Sequence, residues 1–175
     1  MKKRKICIVR QGHYPGDSRV RKEAEALIDR SYEVDIVCIG ASSEKKCENI
    51  YGVNIYRLPL KRLRGGVISY LFEYVLFFVL ATIKLAALYS RRKYDMIQIN
   101  TLPDFLVFTA VVPKLFGVDI ILDLHEPAPE LFIAKFGLRN NVLLKAVKIA
   151  ERMSITYADH VITVSEQMKK NYVEL

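Results

Sequence analysis

The chain has 175 residues, 51% hydrophobic and 26% charged, with a formal net charge of +8. That length fits one domain with a substantial core, and the composition excludes a disordered or low-complexity chain. Three cysteines, Cys7, Cys38 and Cys47, have neither the density of a disulfide scaffold nor metal-ligand spacing, so Cys7 and Cys38 read as small core residues in a reducing cytoplasm.

In chain order, the basic start Lys2 to Lys5 precedes an apolar run, Ile6 to Val9, that is too short for a signal-peptide core. The expected strands are Ile6 to Arg10, Val34 to Ile39, Val53 to Leu58, Met96 to Asn100, Ile120 to Leu124 and His160 to Val164. The expected helices are Ser18 to Arg30, Gly66 to Arg91, Asp104 to Phe116, Asn140 to Tyr157 and Ser165 to Tyr172. Short β-branched runs alternating with amphipathic stretches are the pattern of βαβ units. The fold class is therefore α/β, a Rossmann-like doubly wound parallel sheet, with strand order 3-2-1-4-5-6 in this numbering of six.

Ligands in such sheets bind beyond the carboxyl ends of the strands. Four loops converge there: "GHYPGDSR", "NTLPD", "DLHEPAPE" and "VSEQ". They carry His13, Asp17, Arg19, Asn100, Thr101, Asp104, Asp123, His125, Glu126, Glu130 and Ser165, while the opposite ends of the strands read as blander. Asp104 and Ser165 also read as plain helix N-caps. The helix after "PGD" opens with Arg19, Arg21 and Lys22 where the macrodipole favours acids. Either Arg19 and Arg21 pair with Glu23 and Glu25 along one face, or exposed N–H groups backed by cations await a phosphate.

Val67 to Tyr89 is 23 residues of nearly unbroken apolar sequence. On a helical wheel Ser69, Glu73, Lys84 and Arg91 fall within about 60° of one another, a narrow polar stripe that fits a docked or interfacial helix better than a span. The flanking "KRLR" and "RRK" favour contact with anionic headgroups if a membrane is involved.

Three segments in order, "HYPGDSRVRKEAEALIDRSYEVDIVCIG", "YDMIQINTLPDFLVFTAVVPKLFGVDIILDLHEPAPELF" and "ADHVITVSEQMKKNY", resemble the N-terminal, acceptor-side domain of GT-B-fold glycosyltransferases of family 4. The resemblance covers nearly the whole chain, read as a single domain over residues 1–175. It implies a retaining transferase acting on a nucleotide-diphosphate sugar and a glycan or lipid-linked acceptor, in cell-surface polysaccharide synthesis. The donor is a substrate; no permanently bound cofactor and no metal are expected. Carried over by motif, "PGDSR" places Gly16, Asp17 and Arg19, with Ser165, on the donor-diphosphate side. His125 in "DLHEP" matches the family's sugar-holding histidine. The family commonly has His-Asp there, whereas this chain has His125-Glu126. His13, Thr101, Asp104, Glu126 and Glu130 are expected on the acceptor side of the cleft. The resemblance also implies a linker and a C-terminal nucleotide-sugar domain after Leu175, without which the isolated chain is expected to be inactive. Expected localisation is cytoplasmic, peripheral on the inner membrane face.

Two rivals remain from the residues alone. A non-catalytic Rossmann-like phosphate-binding or interaction module would concentrate its polar groups on one loop. A nucleic-acid binder would interleave its basic residues with exposed aromatics, and no such module is present, so no nucleic-acid partner is expected. The dinucleotide pattern G-x-G-x-x-G is absent, since Gly12 and Gly16 do not supply it.

Overall fold

In the computed structural model, which describes residues 3–41, 43–60, 66–137 and 142–173, seven strands form one sheet. They are β1 (Lys5–His13), β2 (Glu33–Ile39), β3 (Cys47–Ile50), β4 (Val53–Leu58), β5 (Met96–Asn100), β6 (Asp119–Leu124) and β7 (His160–Thr163). The order is β3-β4-β2-β1-β5-β6-β7, with every pair parallel except β3 with β4. The six expected strands thus lie in the expected order. The seventh, β3, is a four-residue edge strand whose short polar sequence "CENI" gave no periodic signal. It pairs through a two-residue hairpin turn in which Tyr51 (φ 52°) and Gly52 (φ 87°) are both left-handed, the backbone that matches strand twist.

The helices are α1 (Ser18–Asp29), α2 (Val67–Arg92), α3 (Val111–Leu115), α4 (Ala128–Phe136), α5 (Val142–Tyr157) and α6 (Glu166–Val173). Residues Asp104–Ala110, expected as α-helix, wind as a 3-10 helix that runs into α3. Helix α4 was not expected because Pro127 and Pro129 flank its start. Pro127 is in fact the N-cap and Pro129 lies in the first turn, where a missing N–H costs nothing. Asn140, the expected start of α5, and the "KRLR" segment 61–64 lie outside the described residues.

Parallel strands buried on both faces read as continuous apolar runs, as these do. On one face Cys7, Val9, Val37, Ile39, Ile97, Ile99, Ile120 and Leu122 pack with Phe77, Ala81 and Leu85 of α2 and with Leu106 and Val107 of the 3-10 helix. On the other, Ile8, Val34, Ile36, Cys38 and Ile55 pack with Val20 and Ala24 of α1. Cys7 and Cys38 are buried in these two layers, and Cys47 is exposed on β3.

Helix α2 docks by one face only. Phe77, Ala81, Leu85, Leu88 and Tyr89 are buried, while Leu71, Phe72, Val75, Val79 and Ile83 point outward, Phe72 and Ile83 being 59% and 62% exposed. The polar stripe lies toward the protein: Glu73 is buried and accepts from Gln11 Nε2 at 3.2 Å, and Lys84 Nζ sits 4.8 Å over the Tyr56 ring. The helix is docked, as expected, yet the side it shows to solvent is apolar.

The end of the sheet away from the four loops is not bland. Asp35 of β2 is fully buried and accepts from Arg92 Nε (3.0 Å) and Nη2 (2.8 Å), Tyr94 Oη (2.6 Å) and Asn54 Nδ2 (2.8 Å). One carboxylate thereby ties β2 to β4, to the end of α2 and to the approach to β5. Removing it leaves the buried Tyr94 phenol without its acceptor and the partly exposed Arg92 guanidinium with only Glu33, at 3.5 Å, so Asp35→Ala should lower unfolding stability by about 1–3 kcal/mol in urea titrations at neutral pH. A loss below about 1 kcal/mol would show that the network adds little.

Candidate active site at the carboxyl rim

Period-2 alternation sends Ile97, Ile99, Leu122 and Leu124 to the α2 face and therefore Gln98, Asn100 and Asp123 to the α1 face. Strand register then aligns Arg10, Asn100 and Asp123 in one row across β1, β5 and β6. Around that row a polar cluster forms. Asp123 Oδ2 accepts from Asn100 Nδ2 at 2.8 Å and lies 3.0 Å from His125 Nε2. Glu23, reaching in from α1, accepts from Gln98 Nε2 at 2.9 Å and Asn100 Nδ2 at 3.1 Å. His125 N donates to Thr101 Oγ1 at 3.2 Å, and Thr101 N donates to the Asp123 carbonyl at 3.0 Å. These bonds lock the loop after β5 to the loop after β6.

The Asp123 contact assigns the ring proton of His125 to Nε2, so Asn100 Nδ2, 3.3 Å from that nitrogen, donates to Asp123 instead. Nδ1 is then a lone pair, buried and without a hydrogen-bond partner. Glu23, Asp123 and His125 bring one ligand atom each within 4.8 Å of one another. As a cation cage they fit poorly, because the carboxylate oxygens that face the cluster already accept amide protons from Gln98 and Asn100. Burial raises the Glu23 carboxyl above its ordinary value, opposed by the Asn100 hydrogen bond and reinforced by Asp123.

The basic start of α1 is resolved in detail. Asp17 is the N-cap, accepting from Arg19 N at 3.2 Å, and supplies the anion that the first turn itself lacks. Its carboxylate lies 3.2 Å from Arg10 Nε and 3.9 Å from Arg19 Nε. Of the two expected face pairs, Arg21 with Glu25 forms at 3.7 Å, whereas Glu23 turns inward and leaves Arg19 half exposed toward the rim. Arg10 is mostly buried, which lowers its pKa against the pull of Asp17; Arg19 lowers it further. Its Nη1 is buried without a hydrogen-bond partner. A Cβ on Gly16 would meet only the His13 carbonyl, at 3.6 Å, so packing does not demand glycine there. The loop is braced from behind by buried Arg57, which donates to the Tyr14 carbonyl at 3.1 Å and pairs with Glu44 and Glu48. Gly40 makes room for it, since a Cβ there would sit 2.8 Å from the Arg57 Cβ.

The expected residues thus divide. His125 and Thr101 meet in the buried cluster, and Asp17, Arg19 and Gly16 gather at the α1 start. Glu126 and Glu130 are exposed outside the cluster, and His13 contributes its carbonyl, which accepts from Asp17 N at 3.1 Å. Ser165 is an exposed N-cap accepting from Met168 N at 3.2 Å. Asp104 is not a cap: Pro103 holds that position, and both Asp104 carboxylate oxygens are buried without a hydrogen-bond partner. Asn100 and Asp123, expected at the rim from the loops that carry them, are also in the cluster. Sequence reasoning missed Arg10, Gln98 and Glu23 as cluster members, although Gln98 carried a signal as a polar residue inside an otherwise apolar strand.

Desolvation, with Glu151 nearby, pushes the Asp104 carboxyl up to about 7 from 3.8. Because the folded value lies above the unfolded one, its contribution to stability is fully present below pH 3.8 and is lost as pH rises through about 7. The stability of Asp104→Asn relative to wild type should therefore grow between about pH 4 and 7 and then level, at on the order of 4 kcal/mol. Urea titrations across that range check it; a pH-independent difference would contradict the assignment.

Residues 17–175 match the glycosyl transferase 4-like domain family. No curated protein matches the chain. Among solved structures it is similar to sucrose-phosphate synthase from Thermosynechococcus elongatus (TM-score 0.69, 17% identity, 98% of this chain and 45% of that one). It is similar also to Glycyrrhiza uralensis UGT73P12 complexed with glycyrrhetinic acid 3-O-monoglucuronide (TM-score 0.62, 10% identity, 99% and 46%) and to LpCGTa in complex with UDP (TM-score 0.60, 9% identity, 99% and 48%). The chain spans less than half the length of each of these neighbours. At these identities the likeness is one of fold, the Rossmann-like half of a GT-B architecture, and with the family match it makes this chain an N-terminal-type domain of the glycosyl transferase 4-like family.

Proposed function

We propose that this domain is the acceptor-side half of a retaining glycosyltransferase that uses a nucleotide-diphosphate sugar, completed by a C-terminal donor-binding domain. The observation that carries the reading is the buried Nδ1 of His125, unpartnered in a cluster that Glu23 of α1 joins, in a domain of this family. The match to LpCGTa, a structure holding UDP, supports a uridine or similar diphosphate donor.

In this mechanism the Arg19 guanidinium at the start of α1 stabilises negative charge on the departing diphosphate, the N–H groups of Asp17 and Arg19 being engaged by the His13 carbonyl and the Asp17 carboxylate. His125, held by Asp123 and Thr101, offers Nδ1 to a hydroxyl of the transferred sugar and fixes its orientation. The acceptor oxygen bonds to the anomeric carbon on the face that the diphosphate leaves, and the leaving phosphate oxygen takes the acceptor proton, so no separate base is required. Cell-surface polysaccharide or lipid-linked glycan synthesis on the cytoplasmic side is the setting this chemistry fits. In the full-length protein, Arg19→Ala should weaken kcat/KM for the donor by about 1.5–3 kcal/mol, the scale of a charge-assisted hydrogen bond. His125→Ala should lower kcat with the thermal unfolding midpoint kept within a few degrees. Donor kinetics unaffected by either substitution would remove both residues from the site.

The outward apolar face of α2 supports a peripheral membrane role. Residues Ser69–Arg92 are long and apolar enough to cross a bilayer, but the buried face of α2 is committed to the sheet, which fits an interfacial placement better. Vesicle co-sedimentation should require anionic lipid, fall steeply with salt, and weaken on Phe72→Ser with Ile83→Ser or on neutralising Lys61, Arg62 and Arg64, each worth about 1 kcal/mol. Indifference to vesicle charge and to these substitutions would leave α2 a docked core helix only.

A further inference from the structure

Asp104 lines a groove of about 150 Å³ between the first turns of α2, the segment Leu102 to Phe105, α4 and α5. Its walls are almost wholly apolar, with Leu71, Leu102, Leu131, Phe132 and Val147 among them. At its base sits the carboxyl of Asp104, a residue 3% exposed, with neither oxygen hydrogen-bonded. An unsatisfied buried carboxyl costs free energy and is uncommon, so its retention in an apolar recess points to a polar atom supplied from outside. The nearest acidic neighbour, Glu151, is itself engaged, accepting from Tyr172 Oη at 2.9 Å.

The place of the groove is also informative. Leu102 directly follows Thr101, and Ala128 follows His125 by three residues, so two walls are continuations of the two loops that the His125–Thr101 bond joins. Leu71 belongs to the outward apolar face of α2, so the opposite side of the groove meets that face. A molecule entering there has an apolar path on one side and the reactive rim on the other.

We propose that this groove holds an apolar, ring-sized part of an amphiphilic acceptor, with a hydroxyl of that acceptor hydrogen-bonded to Asp104. A hydroxyl both donates and accepts, so it satisfies the carboxyl whether Asp104 carries a proton or not, and a volume near 150 Å³ accommodates one six-membered ring with its substituent. The acceptor class is therefore an amphiphile that carries a hydroxyl beside its apolar part, not a free oligosaccharide. This assignment rests on the transferase reading, and its test is chosen to stand apart from it.

Benzyl alcohol and toluene share a ring and differ by the hydroxyl, and both are titrated into the 175-residue chain while the methyl resonances of Leu102, Leu131 and Val147 are followed by NMR. Benzyl alcohol should shift these methyls saturably and bind at least five-fold more tightly than toluene. Asp104→Leu should reverse that order, and Asp104→Asn, which keeps a hydrogen-bonding group, should preserve it. Toluene binding as tightly as benzyl alcohol in the wild type, or no saturable shift with either, overturns the proposal, as does an unchanged preference in a folded Asp104→Leu. No nucleotide sugar is present in these titrations, so their failure overturns the groove and leaves sugar transfer standing. Failure of the Arg19 and His125 kinetics would do the reverse.

Discussion

The reversal of winding between β1 and β5 is the constraint on which the site depends. Because β2 flanks β1 on one side and β5 on the other, α1 after β1 and the 3-10 helix after β5 leave toward opposite faces and the loops that carry them diverge. The gap between them is floored by one register row, Arg10, Asn100 and Asp123, and register in a sheet buried on both faces is strongly specified. A one-residue slip of β5 would exchange Asn100 for an isoleucine or a threonine and dissolve the cluster.

Three charged side chains around this rim each serve several partners. Asp17 serves Arg10, Arg19 and the helix start at once; Asp123 serves Asn100 and His125; Arg57 serves two glutamates and the loop carbonyl of Tyr14. Among the described residues, the buried side-chain groups without a hydrogen-bond partner include three near the rim, the Arg10 guanidinium, Nδ1 of His125 and the Asp104 carboxyl, beside Arg57 Nε and Tyr157 Oη. Preorganised donors and acceptors with no internal partner are what a site needs before its ligand arrives. The Asp35 network at the far end of the sheet, in contrast, leaves no oxygen of its carboxylate unsatisfied and serves as a tie between elements.

Much of this was legible in the sequence. The six parallel strands and their order followed from β-branched runs, and the converging loops followed from the fold rule. What stayed hidden was decided by tertiary context. Nothing local distinguishes Glu23, which turns into the sheet, from Glu25, which pairs with Arg21 at the surface. Asp104 after a proline looks like a cap, and only the packing of α4 and α5 over it denies it that role. Helix α4 was masked by prolines that the first turn tolerates, and β3 by being too short and polar to show a period. The breadth of apolar sequence in α2 was visible, but which side would face out was not, because burial of Glu73 with Gln11 is a pairing across 62 residues of sequence.

The distribution of the three thiols makes the molecule chemically addressable at one point. Desolvation raises Cys7 far above its usual range and Cys38 to about 12, so neither offers thiolate to an alkylating reagent while the sheet is intact. Cys47 stands exposed on the antiparallel edge strand, directly opposite Tyr56. A maleimide dye or spin label would therefore react at a single position without any cysteine being replaced. Delayed labelling of the other two would report, residue by residue, when each face of the sheet opens.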